Sequence, residues 1–172
     1  SNRGLCGAFN SNVIKRALRY PTAEIVAIGK KGVNTFNSLG IKAELAYAKD
    51  DVAKDTSSIT EATAYVYKQF KEGKTDRVLV IYTDYHSAVL QVPVVRQLFP
   101  LLQAGSIAEA VENETDLPAP ATPQMTKADY LYEPTKLTVL DYIVPRLTEA
   151  QIYQALLESN ASEHSARMVA MK

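Results

Sequence analysis

Five clusters in this chain carry residues able to bind or react. The first is Arg3-Gly4-Leu5-Cys6-Gly7, a glycine-bracketed turn that opens a helix. Backbone amides at such a turn can cradle a phosphate. The GK[ST] of a P-loop and the three-glycine dinucleotide fingerprint are both missing, so a tight strand-to-helix turn is expected instead. The second is Gly29-Lys30-Lys31-Gly32. Two lysines beside glycines can hold an anion; a solvated turn is the plainer reading. The third is Asp50, Asp51 and Asp55. Lys49 and Lys54 interleave with them and the spacing fails the EF-hand pattern, so no calcium site is read there. The fourth is Glu109, Glu112, Glu114 and Asp116, just ahead of the Pro-rich run LPAPATPQ. Such carboxylates attract cations, but an exposed acidic loop is expected. The fifth is His86, beside Asp84 and Tyr85. A catalytic histidine needs a nucleophile and an orienting group that meet it in space, and nothing in the sequence supplies them. Cys6 is the lone cysteine, which excludes an intrachain disulfide and a cysteine-based zinc site. No catalytic, cofactor-binding or metal-binding residue is assigned.

The bulk numbers narrow the class further. At 172 residues the chain is expected to form one domain with a real core. It has 19 Lys plus Arg and 19 Asp plus Glu, for a formal net charge of zero. That balance does not call for nucleic acid, which usually needs a basic stripe. No apolar run approaches the roughly 20 residues of a membrane span, and no signal peptide is visible. There is no initiator Met, so the N-terminus is expected to be a cut inside a loop, with Ser1 and Asn2 native or a remnant.

These clusters must be positioned by strands and helices. Asn10 and Ser11 offer cap oxygens for a helix running to about Tyr20, with Val13, Ile14, Ala17 and Leu18 inward. Residues 24–28 (EIVAI) read as a buried strand, 33–39 as a short helix ended by Gly40, and 41–47 as a second strand. A helix over 59–72 is capped by Ser57 or Ser58, with Ser58 and Glu61 as a capping box, and stopped by Gly73. Residues 77–83 (RVLVIYT) form the clearest strand. Residues 87–92 suggest another strand or a continuation past a bulge, and Pro93 and Pro100 bracket an extended piece at 94–99. A helical turn is expected at 106–111 and a last strand at 129–132. The sum is an α/β layer fold.

Residues 135–172 read as one long helix, capped by Thr135 and kinked or split at Pro145. At 1.5 Å per residue it would be roughly 55 Å long, more than a domain of this size needs. In helical projection Ala155, Ser159, Ser162, Ala166 and Ala170 form one narrow stripe. Tyr153, Leu157, Asn160, His164, Met168 and Met171 lie opposite. Glu163 and Arg167, at i and i+4, can pair on the helix surface. A small-residue stripe permits close approach of another helix; a face buried in the chain's own core is the plain alternative. The helix carries no stop signal, so it is expected to be truncated, with its partner helix outside this chain.

Three segments together resemble the gamma subunit of rotary F-type ATP synthase. They are RGLCGAFNSN at 3–12, GKKG at 29–32, and ALLESNASEHSARMVAMK at 155–172. Ala8 replaces the family's second glycine, which is tolerable unless that position needs a positive φ. The resemblance covers essentially the whole chain, with 109–124 divergent. It implies a Rossmann-like layered sheet flanked by helices (1–134), plus the start of a long C-terminal helix (135–172) that is half of an antiparallel coiled coil. The first strand and the N-terminal helix would be missing. It implies a non-catalytic central-stalk rotor that couples proton flow to ATP synthesis or hydrolysis and regulates both. Its partners would be the alpha/beta hexamer, an epsilon-type subunit and the membrane c-ring, with no nucleic acid. Membrane association would be peripheral, through the complex, on the cytoplasmic face of a bacterial plasma membrane, with an organellar inner membrane as the less favoured alternative. Ala155, Ser159, Ser162, Ala166 and Ala170 would then face a partner helix, and Arg3, Gly4, Leu5, Cys6 and Gly7 would form a structural loop. An exposed stripe would also make this stretch prone to self-association. Two other readings compete: a Rossmann-like nucleotide-binding enzyme, and a generic helix-mediated interaction module.

Overall fold

The structure, a computed structural model, describes residues 1, 3–47, 56–101 and 132–172. Eight elements follow in chain order: α1 (Phe9–Ala17), β1 (Val26–Ile28), α2 (Lys30–Ser38), β2 (Leu45–Tyr47), α3 (Ser57–Lys71), β3 (Val78–Tyr85), β4 (Gln91–Phe99) and α4 (Lys136–Ala170). The acidic residues Asp50, Asp51 and Asp55, the carboxylates at 109–116, the Pro-rich loop, the turn expected at 106–111 and nearly all of the strand expected at 129–132 lie outside the described residues.

β1 and β2 pair in parallel, Val26 opposite Leu45 and Ile28 opposite Tyr47. Parallel neighbours need a crossover, and α2 provides it. β3 and β4 form an antiparallel hairpin from Val78–Phe99 at one end to Tyr85–Gln91 at the other, with a register shift between Val78 and Leu79. Among the described residues these remain separate two-stranded sheets. The fold is mixed α/β with small sheets and a long C-terminal helix. The two extended pieces expected at 87–92 and 94–99 are a single strand that runs through Pro93. Pro93 fits because β4 pairs on one side with β3 and its other edge carries no described strand.

The core lies between the β3–β4 hairpin, α3 and α4. Ile59, Leu98, Phe99 and Ile152 are its buried centre, with Val78, Val80, Tyr67, Phe70, Val144 and Leu156 packed around them. Phe70 stacks on Phe99 with ring centres 4.9 Å apart, and Tyr67 tilts against it at 5.9 Å. Helical spacing puts Ile59, Ala62, Thr63, Val66, Tyr67 and Phe70 of α3 on one face. Ile59, Ala62 and Thr63 are buried there. α1 contacts β3, β4 and α2.

Helix boundaries depart from the expected caps. α1 starts at Phe9, with Ala8 at the cap and no side-chain cap bond. Asn10 and Ser11 are inside the helix: Asn10 Nδ2 donates to Cys6 Sγ (3.2 Å) and Ser11 Oγ to the Ala8 carbonyl (2.9 Å). The cap of α3 is Thr56, again without a side-chain bond, and Ser57 and Ser58 lie within the helix, so no capping box forms there. α2 begins at Lys30, so GKKG is a cap and first turn rather than a loop before the helix. Thr135 does cap α4 as expected: it is extended, and its Oγ1 accepts from the Thr138 amide at 3.3 Å.

α4 is one helix of 35 residues that runs unbroken through Pro145. Proline has no N–H, so the Asp141 carbonyl loses its helical donor. Asp141 is an exposed residue, and the helix continues through this position all the same.

Candidate helix-docking site

The residues that seat α4 share one stripe. Thr148, Ile152, Ala155, Ser162 and Glu163 are all buried, whereas Leu137, Leu140, Tyr142, Ile143 and Leu147 near the start of the helix are exposed. Exposure is greatest in the first turn, at Leu137, while Asp141 and Val144 already hold the next turns against α3 and the core and the middle of the helix lies on the domain. Side-chain ties fix this seat. Asp141 takes the Tyr67 hydroxyl (3.2 Å) and the Lys71 ammonium (3.4 Å) from α3. Glu149 accepts from the Thr60 hydroxyl. Ser162 Oγ donates to the Thr83 carbonyl of β3 at 3.3 Å. These partners lie 70 to 89 residues apart, and no local sequence pattern marks them.

The five stripe residues therefore divide. Ala155 and Ser162 are 3% and 0% exposed against the chain's own structure. They are used inside the domain and offer no surface to a second helix in this arrangement. Ser159 lines a cleft of about 500 Å³. Ala166 and Ala170 line another cavity, of about 330 Å³, with Cys6, Gly7, Ala8, Phe9, Thr83 and Val89. On the opposite face Leu157, His164, Met168 and Met171 are exposed, Tyr153 packs against the core, and Asn160 is buried.

The 3–7 loop lies beside the end of α4. Leu5 sits at φ 61° and Gly7 at φ 54°, a region that favours glycine. Ala8 sits at φ −79°, so that position has no need of glycine. Cys6 is buried. Glu163 and Arg167 pair as their spacing suggests, at 2.6 Å. The pair is not on the surface, because the side chains are only 5% and 19% exposed. Arg167 Nε also donates to the Gly4 carbonyl at 3.4 Å.

Gly29-Lys30-Lys31-Gly32 answers to the backbone. The Lys31 amide donates to the Ser1 carbonyl at 2.9 Å. Gly29 has φ 114°, and a Cβ there would stand 2.9 Å from the Ser1 nitrogen. Only glycine meets both demands. His86 Nε2 lies 3.4 Å from Asp84 Oδ2. The neighbouring hydroxyl, Ser87 Oγ, accepts from the Leu90 amide at 3.0 Å and shapes the hairpin turn. Among the described residues no cluster of three His, Cys, Asp or Glu side chains could hold a metal ion. No described helix is long and apolar enough to cross a membrane.

The larger cleft separates the two sheets. Val26, Ala27 and Ile28 of β1 line one side and Val78, Leu79, Ile81 and Tyr82 of β3 the other. Phe36, Ile14 and Val66 close it from α2, α1 and α3. Burial pushes the Tyr82 hydroxyl up to about 12; Arg96 pulls the other way, while Glu158 and Asp84 push it further up. The Arg96 guanidinium lies 5.5 Å from the Tyr82 ring centre. The strand residues that face the cleft are mainly apolar, with Glu24, Gln69, Lys74 and Arg77 also in its lining.

A family model described as ATP synthase matches residues 1–172. The ATP synthase gamma chain of Heliobacterium modesticaldum is 35% identical over 178 residues, covering 99% of this chain and 58% of that relative. The gamma chain of Nitrosomonas europaea is 36% identical over 180 residues, covering 100% of this chain and 58% of the relative. The chain thus spans a little over half the length of these curated relatives. Among solved structures, the central stalk and c-ring structure of Tetrahymena thermophila mitochondrial ATP synthase superposes with TM-score 0.67 at 21% identity, covering 99% of this chain and 71% of that one. The rotor of Euglena gracilis mitochondrial ATP synthase gives 0.62 at 22% identity, covering 98% and 62%. Both share the fold. By the match along its whole length and the gamma chains it resembles, the chain belongs to the ATP synthase gamma-chain family.

Proposed function

We propose that this chain is the globular part of a central-stalk rotor subunit, together with the root of its shaft helix. The observation that carries the reading is the family match over residues 1–172. In this role the chain catalyses nothing. It turns as a body and passes torque between a proton-driven membrane ring and a catalytic hexamer, and so couples proton flow to ATP synthesis or hydrolysis and regulates both. The partners are the alpha/beta hexamer, an epsilon-type subunit and the c-ring. The site of action is the cytoplasmic face of a bacterial plasma membrane, reached through the complex.

The geometry supports this division of labour. Residues 1–134 are the globular domain, and 135–172 start the shaft. The domain is a Rossmann-like layer with one strand absent. β1 and β3 present strands to the same 500 Å³ cleft, with Ser1 among its lining. An extended segment between them would join the two sheets into one. The coiled-coil role of α4 falls on Ala166 and Ala170, whose 330 Å³ cavity can take a large side chain from an antiparallel helix. Ser159 opens on the cleft, and Ala155 and Ser162 hold the shaft to its domain. A nucleotide-binding enzyme fits less well, because the GKKG turn and the 3–7 loop are engaged with the chain's own backbone and side chains.

The test is assembly and coupling. A full-length subunit carrying this region is expressed with the other subunits of its complex, and membrane vesicles are assayed for ATP-driven proton pumping. The expected result is co-purification and pumping that vanishes when the subunit is omitted. A complex that assembles and pumps without it, or micromolar ATP binding by the chain alone, would overturn the reading.

A further inference from the structure

We propose that Arg167 is a positioning residue: with Glu163 it clasps the 3–7 loop to α4, so that the end of the helix turns with the domain as one body. This rests on the rotor reading above. Glu163 is buried and lies 2.6 Å from Arg167, on the side of α4 that faces the domain. A buried ion pair is a poor device for stability alone, since desolvation offsets its attraction. It is a good device for fixing direction. The stripe around it is alanine and serine, whose small side chains interlock little and resist sliding or rolling poorly. Directional bonds must therefore set the register at this end. Ser162 to the Thr83 carbonyl and Arg167 to the Gly4 carbonyl are such bonds.

The loop needs such a hold. Leu5 is a non-glycine residue at positive φ, and its side chain is 74% exposed. Its own packing cannot maintain that conformation, so its neighbours must. Cys6 anchors one side by burial and by the Asn10 amide. Arg167 holds the other side through Gly4. The loop continues into α1, which contacts β3 and β4, and β3 contacts α4. Arg167 thus closes a ring of loop, α1, hairpin and shaft helix. A torque on the helix is shared by every member of that ring.

The experiment uses the full-length subunit in its assembled complex, with Arg167→Ala, Arg167→Lys, Glu163→Gln and the exposed control Met168→Ala. Two readouts are taken: hydrogen exchange of the amides in the 3–7 loop, and protons pumped per ATP hydrolysed. Loss of a charge-assisted bond predicts exchange faster by about tenfold in Arg167→Ala. Pumping per ATP falls several-fold while hydrolysis persists. Arg167→Lys is intermediate, because lysine keeps the charge facing Glu163 without the fork that also reaches Gly4. Met168→Ala matches wild type. If Arg167→Ala does not assemble, the near-isosteric Glu163→Gln carries the test, with the same direction in both readouts. Unchanged loop exchange, or faster exchange with wild-type coupling, overturns the clasp. Failure of the wild-type subunit itself to enter the complex would instead overturn the rotor reading, so the two are distinguished.

Discussion

Ser162 and Ala166 sit one turn apart on the same stripe, yet the same substitution should cost far more stability at Ser162 than at Ala166. Ser162 is 0% exposed and donates to the Thr83 carbonyl. Leucine there must push α4 off β3, and overpacking of this kind costs about 1–3 kcal/mol. The lost hydrogen bond adds about 1 kcal/mol. Ser162→Leu should therefore destabilise the isolated chain by roughly 2–4 kcal/mol. Ala166 borders a 330 Å³ cavity, and leucine adds only three carbons. Ala166→Leu should shift stability by less than about 1 kcal/mol in the same chain. The assay is urea unfolding followed by circular dichroism, with midpoints compared at constant slope. In the full-length subunit, if a second helix packs at this cavity as proposed, Ala166→Leu is expected to impair assembly while the domain still folds. Equal stability of the Ser162→Leu chain and wild type would refute the seating of α4 on β3. A large loss in Ala166→Leu would refute the open cavity.

Other perturbations follow from the same geometry. Phe99→Ala removes the ring at the centre of the core, between Phe70 and Tyr67, and should cost about 3–5 kcal/mol in the same unfolding assay. Thr135→Ala removes the α4 cap and should cost about 1 kcal/mol, read as earlier fraying of the first turn by hydrogen exchange. Tyr82 sets an alkaline limit. Its folded pKa is raised to about 12 from the usual 10.0, so the unfolded chain releases its proton first. The stability this contributes is intact below pH 10 and is lost as pH rises towards about 12, by up to about 3 kcal/mol. Tyr82→Phe should flatten that part of the pH profile, and an unchanged slope would contradict the assignment.

Much of the architecture can be read in local patterns. The apolar run at 24–28 contains β1, the β-branched run at 77–83 contains most of β3, and Gly40 and Gly73 stand just past α2 and α3 at positive φ. Caps were less legible. Asn10, Ser11, Ser57 and Ser58 are good capping residues by type, yet each helix starts one to three residues earlier, because the turn before it already has near-helical backbone at Ala8 and Thr56. Pro145 promises a break, yet the helix continues through it. The stripe on α4 is the more instructive case. Projection places its five small residues on one line, but cannot say which of them meet the chain's own sheet. That depends on ties to Thr83, Thr60, Tyr67 and Lys71, all distant in sequence. The Glu163–Arg167 pair was visible in the spacing; its burial and its hold on Gly4 were not.

Rotation of this domain with its shaft, as proposed, is open to test. The direct measurement attaches a bead through Lys42→Cys, an exposed position, in a full-length subunit assembled with the catalytic hexamer fixed to glass. Unidirectional bead rotation is expected on addition of ATP, stopping when ATP is removed. Sustained ATP hydrolysis with a stationary bead, in complexes shown to contain the labelled subunit, would contradict it.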